Sequence, residues 1–221
     1  MGTPWLIRPE LYFDKTLLLK IPPVHRQPGG AGHRAGRAAN VTAVSTSEDT
    51  HSTAPGWDIR PATGADWPAI WAILEPVIRA GETFTWDRDT TEHQGRERWF
   101  RQSPGQTFVA VGRGEPGGVI LGSGELHANQ GGGGSHVANA GSVVHPAHGG
   151  KGVARGLCAY SLGAARVAGF RAMQFNAVVE SNVRAVAAWQ SLGFEVLATI
   201  PEAFLHPRLG YVGLHLMYRR L

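Results

Sequence analysis

From Trp57 onward, apolar positions recur with two different periods, and the changes of period divide the chain into elements. Residues 57–60 read as a short first strand. Ile70, Ile73, Leu74, Val77 and Ile78 then fall at the three- and four-residue intervals of one helical face. Thr63 or Asp66 can cap that helix, Pro68 sits in its first turn, and Gly81 ends it. Pro76 lies inside the run and is expected to kink it. A second helix is predicted over 90–102, with Asp89 as N-cap, before the break at Pro104-Gly105. The pattern next becomes strand-like over 107–112 and 117–128, joined by a turn at 113–116, and over 137–144, ended by Pro146. Val153, Leu157, Tyr160, Ala164, Val167 and Ala168 return to a single helical face, closed by Gly169. A strand at 172–179 follows. Asn182 caps a helix carrying Val186, Trp189 and Leu192, and Gly193 ends it. Strands at 194–200 and 212–218 complete the chain.

The order β-α-α-β-β-β-α-β-α-β-β predicts an α/β (α+β) fold. Its mixed, mostly antiparallel central sheet carries helices on both faces. Residues 1–55 lack such periodicity. Gly29-Gly30-Ala31-Gly32 and the small, polar stretch 41–55 mark an N-terminal extension expected to be poorly ordered, with the domain spanning 56–221.

Composition narrows the functional classes. A 43% apolar content supports a core of ordinary size. The net charge of +4 is spread without a basic run, which argues against a nucleic-acid partner and suits an anionic small ligand. The single cysteine, Cys158, allows no intramolecular disulfide and sits in an apolar helical pattern, as a small buried hydrophobe would. Leu17-Leu18-Leu19 is too short for a signal core, and no apolar stretch approaches the roughly 18 residues of a membrane span. A cytoplasmic location, no membrane and no metal site are therefore expected.

The segment from Val143 to Ala154 carries the chemistry. A strand ends, a turn with Gly149, Gly150 and Gly152 follows, and an amphipathic helix begins at Val153. Glycine lets backbone N–H groups approach a ligand closely, and the first N–H groups of a helix lack internal acceptors and carry the positive end of its dipole. The result is an anion site suited to a pyrophosphate. Lys151 adds charge there or is simply solvated. A Walker-type loop is rejected because Gly152, not Ser or Thr, follows Lys151. A dinucleotide site is disfavoured because several strands precede the turn. A plain glycine-rich connection and a coenzyme A site both remain.

Here the sequence resembles the GNAT superfamily of N-acetyltransferases. Gly152 and Ala154 match the two small positions of that family's Gln/Arg-x-x-Gly-x-Gly/Ala signature, and Val144 with Pro146 matches the preceding strand end. Gly149 departs from the usual Gln or Arg. About 30 residues on, Asn182, Trp189 and Leu192-Gly193-Phe194 match a second family motif. The likeness covers roughly 57–221. Within it, His136 to Asn139, Ala172 to Val179 and the tail from Pro201 look like a bacterial and fungal subgroup similar to phosphinothricin-type acetyltransferases.

The resemblance implies two central strands splayed apart, with acetyl-CoA as cosubstrate between them and a small-molecule amine as acceptor. Val143 and Val144 would pair with pantetheine, Gly149, Gly150, Lys151, Gly152, Val153 and Ala154 would hold the pyrophosphate, and Asn182 and Trp189 would border the pantetheine arm. Trp189 stands where the family usually places a Tyr acid, so the leaving thiolate would take its proton from water or from the reacting amine. Glu82, His136 and Asn139 are expected to contact the acceptor, with Glu125, His127 and Glu180 as further candidates for a proton relay. Phe84 and Trp86 either wall the pocket or fill the core. The loop from His206 to Gly210 would overhang the acceptor site or meet a second subunit in a homodimer. The rival reading is a CoA-binding protein without transferase activity.

Overall fold

The computed structural model describes residues 56–114 and 118–221, so the expectation for residues 1–55 lies outside the described residues. The chain forms β1 (Trp57–Pro61), α1 (Trp67–Ala80), α2 (Glu92–Trp99), β2 (Gln106–Gly112), β3 (Ile120–Ala128) and β4 (Val137–Val144). It continues with α3 (Val153–Val167), β5 (Ala172–Val179), α4 (Val183–Ser191), β6 (Glu195–His206) and β7 (Gly210–Arg220). The seven strands make one sheet in the order β1-β2-β3-β4-β5-β7-β6. Only the β4–β5 junction is parallel, with α3 as its crossover.

Alternation along the strands sorts side chains to two cores. Phe108 and Ala110 of β2 join Leu157, Cys158 and Leu162 of α3. Val109, between them, points to the other face and joins Ile70, Leu74 and Ile78 of α1 with Trp99 of α2. Burying one such side chain contributes about 1.5–3 kcal/mol, so each helix is held chiefly by its apolar stripe.

Two expectations need correction in detail. The second helix is shorter than 90–102, and Asp89 is not its cap. Thr91 caps it, because its hydroxyl accepts from the Gln94 N–H while the Gln94 side chain accepts from the Thr91 N–H. Helix α1 contains Pro76 and ends, as expected, at Gly81, which is left-handed. The penultimate strand extends well past Ile200, because β6 is an edge strand. Pro201 withdraws no hydrogen bond that a central strand would need, and a register shift between Ile200 and Phe204 absorbs it.

Candidate active site

The sheet opens at its parallel junction. β4 and β5 pair at Val137–Ala172 and Ala138–Met173 and then part. Backbone alternation fixes what β4 presents to the gap. Asn129 N–H donates to Val137 C=O and His145 N–H donates to Leu121 C=O, so the odd-numbered residues of β4 face β3. His136 C=O accepts from Arg171 on the opposite side. The backbone groups of Ala140, Ser142 and Val144 therefore face the gap. Val143, which the sequence placed beside Val144, turns its backbone to β3 and its side chain into the core.

A cleft of about 380 Å³ lies over this parting. Its floor is the stretch Asn139–Ser142 of β4, with Glu125 and His127 of β3 beside it. The register places Glu125 opposite Gly141 and His127 opposite Asn139, so all four share one face. Gly141 keeps this floor low, since a Cβ there would stand 3.2 Å from Glu125 Oε1 and 3.3 Å from Trp99. The far wall is β5, where a bulge between Phe175 and Val178 turns Asn176 and Ala177 into the cleft. Phe84, Trp86 and Trp99 form an aromatic wall, with ring centroids 5.5–6.2 Å apart. Phe84 and Trp86 thus line the pocket and pack on the core at once.

The charged centre of the cleft is Glu125. It is 6% exposed, and one carboxylate oxygen, Oε2, takes Arg101 Nε at 2.8 Å and His127 Nδ1 at 2.7 Å. A carboxylate so buried is tolerable only with such partners. Bonding at Nδ1 leaves Nε2 of His127 as the ring's other polar atom.

The turn after β4 is exposed and open. Gly150 and Gly152 have φ of 76° and 77°, in the left-handed region, and a Cβ at either would meet nothing within 4 Å. Gly152 caps α3, whose first ladder bond runs from Gly156 N–H to Gly152 C=O, so the N–H groups of Val153, Ala154 and Arg155 precede the ladder. The Val153 side chain itself is buried, and Gly149, Lys151 and Ala154 are exposed. Lys151 Nζ lies 3.5 Å from His148 Nδ1.

The remaining predicted residues divide. Asn182 caps α4 by accepting from Ala185 N–H through Oδ1, which leaves its amide NH2 for the cleft it lines. Trp189 also lines the cleft, its ring 5.2 Å from that of Phe175. Asn139 is on the floor, with Oδ1 accepting from Ala140 N–H. His136 is not brought to the cleft. It precedes β4 where the two strands are still paired, is exposed, and its Nδ1 is 3.1 Å from Gly133 C=O. Glu82 stands outside the main cleft, in a vestibule reached past Thr83 and Asn182, bonded to Arg208. Glu180 is occupied by the Gly213 N–H at 3.0 Å. Sequence reasoning missed Arg101 and Trp99. Arg101 had no local signal, and the alternation of Glu125 with His127 on one strand was the signal for the acid–imidazole pair.

A mixed sheet parted at its single parallel junction, with an amide-rich turn at the end of one parted strand, is the architecture of an acyl-carrier-dependent transferase. The model of the acetyltransferase (GNAT) family matches residues 67–194, and the chain belongs to that family, whose members are acyltransferases using acetyl-CoA. A GCN5-related N-acetyltransferase from Kribbella flavida is 47% identical and superposes with a TM-score of 0.72, over 75% of this chain and 98% of that one. yncA from Salmonella typhimurium, solved with its cofactor acetyl-CoA, is 27% identical with a TM-score of 0.64, over 75% of this chain and 94% of that one. N-acetyltransferase aca1 of Schizosaccharomyces pombe is 35% identical over 85 residues, 38% of this chain and 40% of that protein. The chain thus matches less than half the length of that curated relative. A phosphinothricin acetyltransferase from Sinorhizobium meliloti, 19% identical with a TM-score of 0.66 over 75% of this chain and 89% of that one, shares the fold.

Proposed function

We propose that the protein moves the acetyl group of acetyl-CoA to the primary amine of a small molecule, by direct attack within a ternary complex. The observation that carries this reading is the parting of β4 from β5 directly beside the Glu125–His127 pair. The residues present fit the cosubstrate. Ser142 and Val144 offer strand-like backbone partners to its pantetheine arm, and the Val144 N–H is directed to polarise the thioester carbonyl. The open amides from Gly149 to Ala154 receive the diphosphate at the positive end of α3. The Asn182 amide NH2 donates to the same arm.

On the acceptor side, Glu125 holds His127 with Nδ1 toward the carboxylate, so that Nε2 takes the proton of the incoming ammonium. The neutral amine then attacks the carbonyl carbon. A C–N bond forms, the C–S bond breaks, and the amine's remaining excess proton leaves with solvent or on the thiolate. Trp189 packs against the arm but supplies no acid, which supports a thiol that leaves without side-chain assistance. Arg101 neutralises Glu125 and positions it.

Thiol release from acetyl-CoA across a panel of amines tests the proposal. Acetylation of at least one small amine, lost in His127→Ala, is expected. Tight acetyl-CoA binding with no transfer to any amine would instead favour a CoA-binding protein without transferase activity.

A further inference from the structure

On the α3 side of the parting, a second and much smaller cavity of about 10 Å³ lies between β4, β5, α3 and α4. It shares Ala140, Gly141, Ser142, Phe175 and Trp189 with the cleft. The rest of its lining is Leu157, Cys158 and Ser161 of α3, all buried. A space of that size holds about one water-sized group. The helix face behind it is held in place. Leu157 and Cys158 belong to the core packed on the sheet, and the Ser161 hydroxyl donates to the Cys158 C=O at 2.7 Å. Burial pushes the Cys158 thiol up to about 12, so it stays protonated and lines the cavity as a small apolar surface.

The path of the donor leads to this cavity. On the transferase reading above, the diphosphate lies at the glycine turn beyond the end of β4, and the pantetheine arm runs back along the parted strands. β4 and β5 close together at Ala138–Met173. The acyl group, last along the arm, comes to rest just short of that closure, beside Ala140, Ser142 and Phe175. Strand alternation puts the side chains of Ala140 and Ser142 on the α3 face of the sheet, opposite to Glu125, His127 and Asn139. The cavity is thus separate from the space that the amine needs.

We infer that this cavity seats the terminal methyl of the acyl group, and that Cys158, set against it from α3, restricts the donor to acetyl-CoA over longer acyl-CoAs. The inference rests on the transferase reading and specifies its donor. Cys158 is thereby a specificity-determining residue that takes no acyl group itself. A propionyl group adds one methylene, and that methylene meets the close-packed wall of α3 and Phe175, where room comes only by displacing buried side chains.

Four ligands that differ only in the acyl group test it: CoA itself, acetyl-CoA, propionyl-CoA and butyryl-CoA. Two readouts are taken on the full chain, calorimetric affinity and, with an acetylated amine from the panel, kcat/KM by thiol release. Acetyl-CoA should exceed propionyl-CoA by about tenfold or more in kcat/KM, butyryl-CoA should fall further, and the affinities should follow the same order. Cys158→Ala, which enlarges the cavity, should narrow the acetyl-to-propionyl ratio by about threefold or more. Cys158→Val, which fills it, should weaken acetyl-CoA yet bind CoA, which carries no acyl group, as the parent does. Equal handling of the acyl-CoAs by the parent, preference for a longer one, a ratio unmoved in folded Cys158→Ala, or a folded Cys158→Val variant that loses acetyl-CoA and CoA alike would each overturn the inference. Transfer of all three acyl groups at one rate would overturn it and leave the transferase reading standing. Graded affinities that shift in Cys158→Ala, with no transfer to any amine, would support the cavity's role and count against the transferase reading alone.

Discussion

Glu125 keeps a charge in a nearly sealed position because Arg101 and His127 share one of its oxygens. Removing Arg101 takes the cationic partner from a buried carboxylate, whereas removing part-exposed His127 leaves Arg101 in place, so effects on folding and on rate are expected to separate by residue. His127→Ala is predicted to lower kcat by about 10²–10⁴, with a melting temperature close to that of the parent, since His127 is part-exposed at the cleft. Steady-state rates with saturating acetyl-CoA check this. Asp66 gives a second prediction at this scale. Arg60 contacts both its oxygens at 2.8 Å, and the Thr63 N–H and hydroxyl add to them, holding its carboxyl down to about 2 against an ordinary 3.8. Because the folded value is depressed, the stabilisation is complete above about pH 4 and is lost as pH falls toward 2. Thermal melts between those limits should show a steeper decline than in Asp66→Asn. Cys158 is pushed up to about 12 by burial, so it should resist alkylation at pH 8 until the chain unfolds.

At the scale of elements, α3 follows the strand that parts from β5, with its first turn exposed and its body packed on the sheet. Gly156 allows this, since a Cβ there would lie 2.2 Å from the ring of Trp57. Gly156→Ala is expected to destabilise the fold by about 1–3 kcal/mol through overpacking, measurable by chemical denaturation. The helix and its glycine turn were legible in the sequence because the signal is contiguous: a strand, three glycines, then a 3.6-residue period. The acceptor side was less legible. Choosing Glu125 and His127 over Glu82 and His136 requires knowing that Glu125 sits opposite Gly141, and that β4 has not yet left β5 at His136. Those facts belong to strand register, which local periodicity does not encode. The Arg101–Glu125 bond, 24 residues apart along the chain, is likewise tertiary. Element ends depended on finer signals, such as the Thr91–Gln94 capping pair and the edge position that lets β6 pass Pro201.

For the whole molecule, element order anticipated a mixed sheet with a β-α-β crossover, and the β4-α3-β5 unit supplies its parallel pair. The order did not reveal that β5-α4-β6 leaves β5 beside the antiparallel β7. The parting within the parallel pair was implied by family resemblance and not by periodicity. Among the described residues, no helix is long and apolar enough to cross a membrane. The family model matches residues 67–194 and the described sheet starts at Trp57, and we propose 56–221 as the catalytic unit. Removing residues 1–55 is accordingly predicted to change acetyl-CoA affinity by less than about twofold, a difference of under half a kcal/mol.

The account as a whole rests on diphosphate capture by the amides that open α3, and calorimetric titration of acetyl-CoA into the parent and Gly152→Asp reads this directly. Saturable binding by the parent is predicted, with affinity at least about tenfold weaker in the variant, where a carboxylate faces the diphosphate, and with a cooperative melt retained. Equal affinity in the two proteins would contradict it.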